Sequence, residues 1–99
     1  MDRITINAVV FRQDGLWVAQ CLEYNLVSCA EELEELPGEL MRQIQGQVRV
    51  DLRDGKEPFA DFRKAPAKYW EMFERASRDP RLPEPPALPQ VEAHLLLAA

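Results

Sequence analysis

Histidine occurs once in this sequence, cysteine twice and glycine four times. A structural zinc site needs about four clustered nitrogen or sulfur ligands, and Cys21, Cys29 and the distant His94 do not supply them. Two cysteines are too few for a disulfide scaffold. The glycines, at 15, 38, 46 and 55, are scattered, so phosphate-loop and dinucleotide fingerprints are missing. Serine is confined to Ser28 and Ser77, neither in a nucleophile-elbow context. Long apolar runs are lacking too: Ala8–Phe11 and Leu95–Ala99 fall far short of the roughly 20 residues that span a bilayer. Basic charge is also short, with 12 Lys and Arg against 17 Asp and Glu and a net charge of -5. That argues against nucleic-acid binding through phosphate contacts. The start, Met1-Asp2-Arg3-Ile4, lacks the basic and apolar stretches of a secretory signal. The expectation is a cytoplasmic protein with reduced thiols, no metal and no cofactor.

What remains is a chain of 99 residues, 46% hydrophobic and 29% charged, enough for one small α+β domain. Residues 4–11 are β-branched and apolar and predict a strand. Asp14-Gly15 then marks a hairpin, with a second strand over 16–22. Trp17, Ala19 and Cys21 share one face of that strand, and Leu16, Val18, Gln20 and Leu22 share the other. A turn at Glu23-Tyr24-Asn25 leads to a third short strand over 26–29. If that hairpin is centred on Asn25, Cys21 and Cys29 lie opposite each other.

Leu33, Leu36, Leu40, Ile44, Val48 and Leu52 recur at helical spacing. The helix either begins near Pro37 or begins near Glu32 and kinks at the proline, and Asp54-Gly55 stops it. A loop over 56–65 carries Phe59 and Phe62, which are expected to pin it to the core. Pro66 suits the first position of a second helix with Tyr69, Trp70, Met72, Phe73 and Ala76 on its apolar side, ended by Asp79-Pro80. Residues 80–90 read as a proline-rich spacer that neither pairs nor coils. A final strand over 91–99 places Val91, Ala93, Leu95 and Leu97 on one face and Glu92 and His94 on the other. The expected architecture is a domain over 1–79, the spacer, and a strand that completes the sheet or is exchanged with a partner chain. The order is β-β-β-α-α-β, in a small mixed sheet of order 3-2-1-4 with the helices packed on one face.

Catalysis finds little support. Cys29 with His94 is a conceivable nucleophile–base pair supported by residue type alone, and a lone thiol is more often core filling. The chain is therefore expected not to be an enzyme. The most distinctive local feature is the acidic run Glu31, Glu32, Glu34, Glu35 and Glu39. Residues 1–55 carry ten acids against five Lys or Arg, whereas residues 56–99 carry seven of each. Such a run is either a solvated face with acids near a helix N-terminus or a surface that steers a basic partner. With Trp70 and Phe73 as apolar contacts, these five glutamates are the candidate partner-binding residues.

The stretch Asp14-Gly15-Leu16-Trp17-Val18-Ala19-Gln20-Cys21-Leu22-Glu23-Tyr24, with Leu33-Glu34-Glu35-Leu36 after a short strand, resembles the HicB-like antitoxin family. The resemblance covers roughly residues 4–50. It implies a partial RNase H-like fold and the neutralisation of a small basic RNA-cleaving toxin, HicA. Glu32 stands where the family places a threonine cap, Pro37-Gly38 replaces helix-favouring residues, and residues 80–99 are not expected to form the family's DNA-binding segment. Nuclease chemistry would need carboxylates converging on two metals, and residues 4–11 contain none. The expected function is protein binding, as an antitoxin or as a degenerate, non-catalytic homo-oligomeric scaffold. Because Leu95, Leu96 and Leu97 are too apolar to stay in water, a homodimer built partly by exchange of the last strand is expected. Light scattering should show a dimer for the full chain and a lower mass after truncation beyond Pro89.

Overall fold

Ala8, Val9 and Val10 are successive residues of one strand, and all three have no exposed surface. Neighbouring side chains on a strand point to opposite faces, so this strand is covered on both sides. A computed structural model of the chain describes residues 3–86, 88 and 90–98. It contains β1 (Ile4–Gln13), β2 (Leu16–Cys21), β3 (Val27–Ala30), α1 (Leu36–Arg53), α2 (Ala67–Glu74) and β4 (Val91–Leu97), a single 3-10 turn preceding α1. The sheet order is β3-β2-β1-β4, with β4 parallel to β1 and the other pairs antiparallel. The expected α+β class and strand order are observed. β1 runs to Gln13 because its ladder continues to the turn itself, where Gln13 faces Leu16. Asp14 and Gly15 take φ of 52° and 80°, the left-handed pair that a tight hairpin turn requires.

The two helices lie on opposite faces of the sheet, not on one face as expected. Ile6, Ala8 and Val10 of β1, Ala19 and Cys21 of β2, and Val91 and Leu95 of β4 share a core with Leu36, Leu40, Met41 and Ile44 of α1. Val9 and Leu22, pointing the other way, pack with Ala65 and, around them, Phe11, Tyr69, Trp70, Met72 and Phe73. A strand apolar on consecutive residues needs both covers.

The start of α1 combines the two expected alternatives. The chain coils from Leu33 as a 3-10 turn, α1 follows from Leu36, and Pro37 falls in its first turn, where a missing N–H costs nothing. Glu32 makes no side-chain capping bond. The apolar stripe holds through Ile44, but Leu52 is 49% exposed, where the last turn borders an open cleft.

The loop after α1 carries the chain around the sheet. Asp51 is buried, and its carboxylate accepts from the Phe59 N–H at 2.8 Å and from Gln47 Nε2 at 3.0 Å. Those bonds hold Phe59 at φ 62°, with its ring stacked on Tyr24 at 4.5 Å and edge-on to Phe62 at 5.4 Å. Phe59 and Phe62 thus pin the loop as expected. The Asn25 N–H then donates to the Arg63 carbonyl at 2.6 Å, and the Ala65 N–H to Leu22 at 2.9 Å, which delivers the chain to the far face.

Pro66 precedes α2 instead of opening it, and the helix ends at Glu74, well before Asp79. The reason is competition: Ser77 leaves to pair with Leu97 through bonds of 2.9 and 2.8 Å. The segment read as a spacer is anchored. Asp79 accepts from the Arg81 and Leu82 N–H groups at 2.8 and 3.0 Å, and this turn drives Leu82 into the main core, 7% exposed. Ala87, Pro89 and Ala99, with Met1 and Asp2, lie outside the described residues. β4 completes the sheet of its own chain. Ile44→Ala should cost about 2–5 kcal/mol in denaturant unfolding, from lost burial and a cavity. Leu52→Ala should cost under about 0.5 kcal/mol, as at surface sites.

Candidate functional site

Where β3 ends, the chain passes through Glu31 and Glu32 into the 3-10 turn and α1. From Gln13 to Met41 the sequence holds seven acids and not one Lys or Arg. Glu31, Glu32, Glu34 and Glu35 are exposed, and Glu39 is half-buried. Among the described residues only Glu39 of these five has a salt bridge, to Arg42 one turn on. Arg81 approaches Glu34 from the proline segment, but its main partner is Asp79, at 2.8 Å. Four carboxylates therefore form a solvated rim beside the β3 end of the sheet. Their place at the start of α1 also suits the positive end of the helix dipole.

Trp70 and Phe73 do not join this rim. Both lie on α2, over Val9 and Leu22 on the other face of the sheet. Trp70 Nε1 donates to the Ala65 carbonyl at 3.2 Å, and Lys64 stands 5.9 Å from its ring. These are the contacts of a covering helix, although no residue of α2 is fully buried. The seven candidate residues thus divide into two separate groups.

Sequence reasoning missed the outer edge of β3. Val27 is 43% exposed and Cys29 is exposed. The available signal was position: the last strand of a meander, followed by a helix, has no later partner on that side unless the chain returns. A polar cluster on the part of the far face that α2 leaves uncovered was missed as well. The Glu23 carboxylate accepts from the Asn7 N–H at 2.7 Å and from Asn7 Nδ2 at 2.6 Å, continuing the β1–β2 ladder after its last backbone pair. Nearby on β4, Glu92 lies 3.4 Å from Arg3 and 3.2 Å from His94. Among the described residues no three His, Cys, Asp or Glu side chains are placed to hold a metal ion. An open cleft of about 670 Å³ lies at the start of β1, between Arg3, Thr5, Tyr24, Leu52 and Lys56, and no candidate residue lines it.

The thiols are separated in every sense. Val18 pairs with Cys29 and Gln20 with Val27, so the hairpin is centred between Glu23 and Tyr24, not on Asn25. Cys21 and Cys29 accordingly point to opposite faces, and both are free. Cys29 and His94 stand on the two edge strands, three interstrand spacings apart, roughly 14 Å. They do not form a nucleophile–base pair.

Comparison with known proteins finds no matching family model, no similar curated protein and no matching solved structure. Among the described residues no helix is long and apolar enough to cross a membrane.

Burial, and then the Glu23 charge, push the Cys21 thiol up from 9.0 to about 12. Above pH 9 the unfolded chain loses this proton while the folded chain keeps it, so stability falls as pH rises from 9 towards 12. The slope should approach about 1.4 kcal/mol per pH unit, and Cys21→Ala should remove that component. A thiol reagent should modify Cys29 alone in the native protein and both cysteines in denaturant.

Proposed function

We propose that this chain is a non-catalytic, HicB-like protein-binding domain whose acidic rim receives a small basic partner, a HicA-like RNA-cleaving toxin. One observation carries this reading: Glu31, Glu32, Glu34 and Glu35 are all exposed within a stretch that holds no Lys or Arg. Charges left unpaired on a surface raise the local concentration of an oppositely charged partner and speed its encounter. An exposed strand ending in the same rim supplies backbone and apolar contact beside the charge.

A second reading, a homo-oligomeric scaffold, is favoured by α2. Tyr69, Trp70, Met72 and Phe73 are all only half-buried, which leaves apolar surface for a second copy of the chain. A dimer by light scattering, together with no toxin binding, would select it.

Calorimetric titration with HicA-like toxins tests the first reading. A micromolar or tighter 1:1 complex is expected, weakening with added salt. Replacing Glu31, Glu32, Glu34 and Glu35 with Lys should weaken it at least tenfold, with the melting temperature little changed. Failure of every toxin tried to bind would overturn the reading.

A further inference from the structure

The sheet has two edges, and unpaired N–H and C=O groups on an edge are a template for another strand. The β4 edge is clipped at both ends. The Ile4 N–H donates to Gln90 at 2.6 Å and the Ala98 N–H to Val10 at 2.8 Å, so the even-numbered residues of β4 bond β1 and the odd ones turn outward. Of the outward residues, Val91 donates to the Leu88 carbonyl at 3.3 Å, and Leu97 exchanges both bonds with Ser77. Pro83 and Pro85 lie alongside Ala93–Leu96, between these two clips.

The β3 edge is clipped only at its start, where the Asn25 N–H donates to the Arg63 carbonyl at 2.6 Å. The Cys21 N–H donates to the Leu26 carbonyl at 2.9 Å, and the alternation of an antiparallel pair then turns Ser28 and Ala30 inward and Val27 and Cys29 outward. Among the described residues no other segment bonds the backbone of Val27 or Cys29. Proline and lysine, the usual edge blockers, are absent from residues 26–32.

Charge selects the occupant. In an antiparallel pair of two copies through β3, the strand opposite Glu31 and Glu32 comes from residues 24–25 of the other copy and carries no Lys or Arg. A basic extended segment meets the opposite situation. We infer that the outer edge of β3 accepts a strand from a basic partner, with Val27 and Cys29 supplying the backbone pairs and Glu31 and Glu32 receiving Lys or Arg of the added strand. This is strand addition, in which main-chain bonds give affinity and side chains give specificity. The inference rests on the partner-binding reading above and adds its place and mode.

The probe is a capped heptapeptide of alternating lysine and valine, compared with its glutamate counterpart and with a lysine form N-methylated along one edge. Binding is read by fluorescence anisotropy, and amide hydrogen exchange is followed at Val27 and Cys29 by NMR. The lysine peptide should slow exchange at both amides at least tenfold and the glutamate peptide should not. N-methylation should weaken binding at least tenfold without touching the protein. Val27→Pro, which removes only an outward N–H, should do the same. A lysine peptide that fails to bind, or one that binds regardless of N-methylation and of Val27→Pro, overturns strand addition. The wider reading is judged separately with a HicA-like toxin: one that binds while leaving both amides unprotected overturns this inference and keeps that reading.

Discussion

Covering β1 on both sides is the constraint from which the rest of this structure follows. Ala8, Val9 and Val10 cannot all point into one core, because consecutive residues of a strand diverge. One helix therefore serves one face only. α1 covers Ala8 and Val10, and the chain must then cross to the far side and cover Val9 and Leu22 before returning to lay β4 beside β1. Every connection is spent on that route.

The crossing depends on a few polar groups placed where backbone would otherwise go unpaired. Asp51 gives the Phe59 N–H a buried acceptor, and without it a non-glycine residue at positive φ would stand with an orphaned donor. Asp79 does comparable work at the surface, turning Pro80 and Arg81 so that Leu82 enters the core. Hydrogen bonds from the Arg81 guanidinium and N–H hold the Asp79 carboxyl below the usual carboxylate range. Leu22 stands between, donating to Asn7 and accepting from Ala65, so one residue ties β1, β2 and the approach to α2.

Much of this was legible in the residues. The Asp14-Gly15 turn, the alternation of β2 and the stripe from Leu33 to Ile44 are local patterns, and local patterns survive folding. The opposite placement of α2 was not read, though Ala8-Val9-Val10 held the clue, because periodicity reports which residues are apolar and not how many layers will cover them. Leu82 was hidden among prolines, since one apolar residue in an extended segment has no period to reveal it. Of the candidate site, the exposure of the glutamates could be read from charge alone. The separation of Glu31–Glu39 from Trp70 and Phe73 could not, because it depends on which face each helix takes. The free edge of β3 belongs to topology, and no single stretch of sequence encodes it.

The pairing of Ile4 with Val91 joins residues near the two ends of the described chain. Contacts of such sequence separation form late, because a large loop must close before they contribute. During synthesis, β1 emerges first and waits with one edge bare, while the core beneath it lacks Val91 and Leu95. The hairpin and α1 can assemble early, but the native state is completed only after the last strand leaves the ribosome. Until then the nascent chain offers a bare strand edge to its neighbours, a period of exposure in which chaperones or crowding decide its yield.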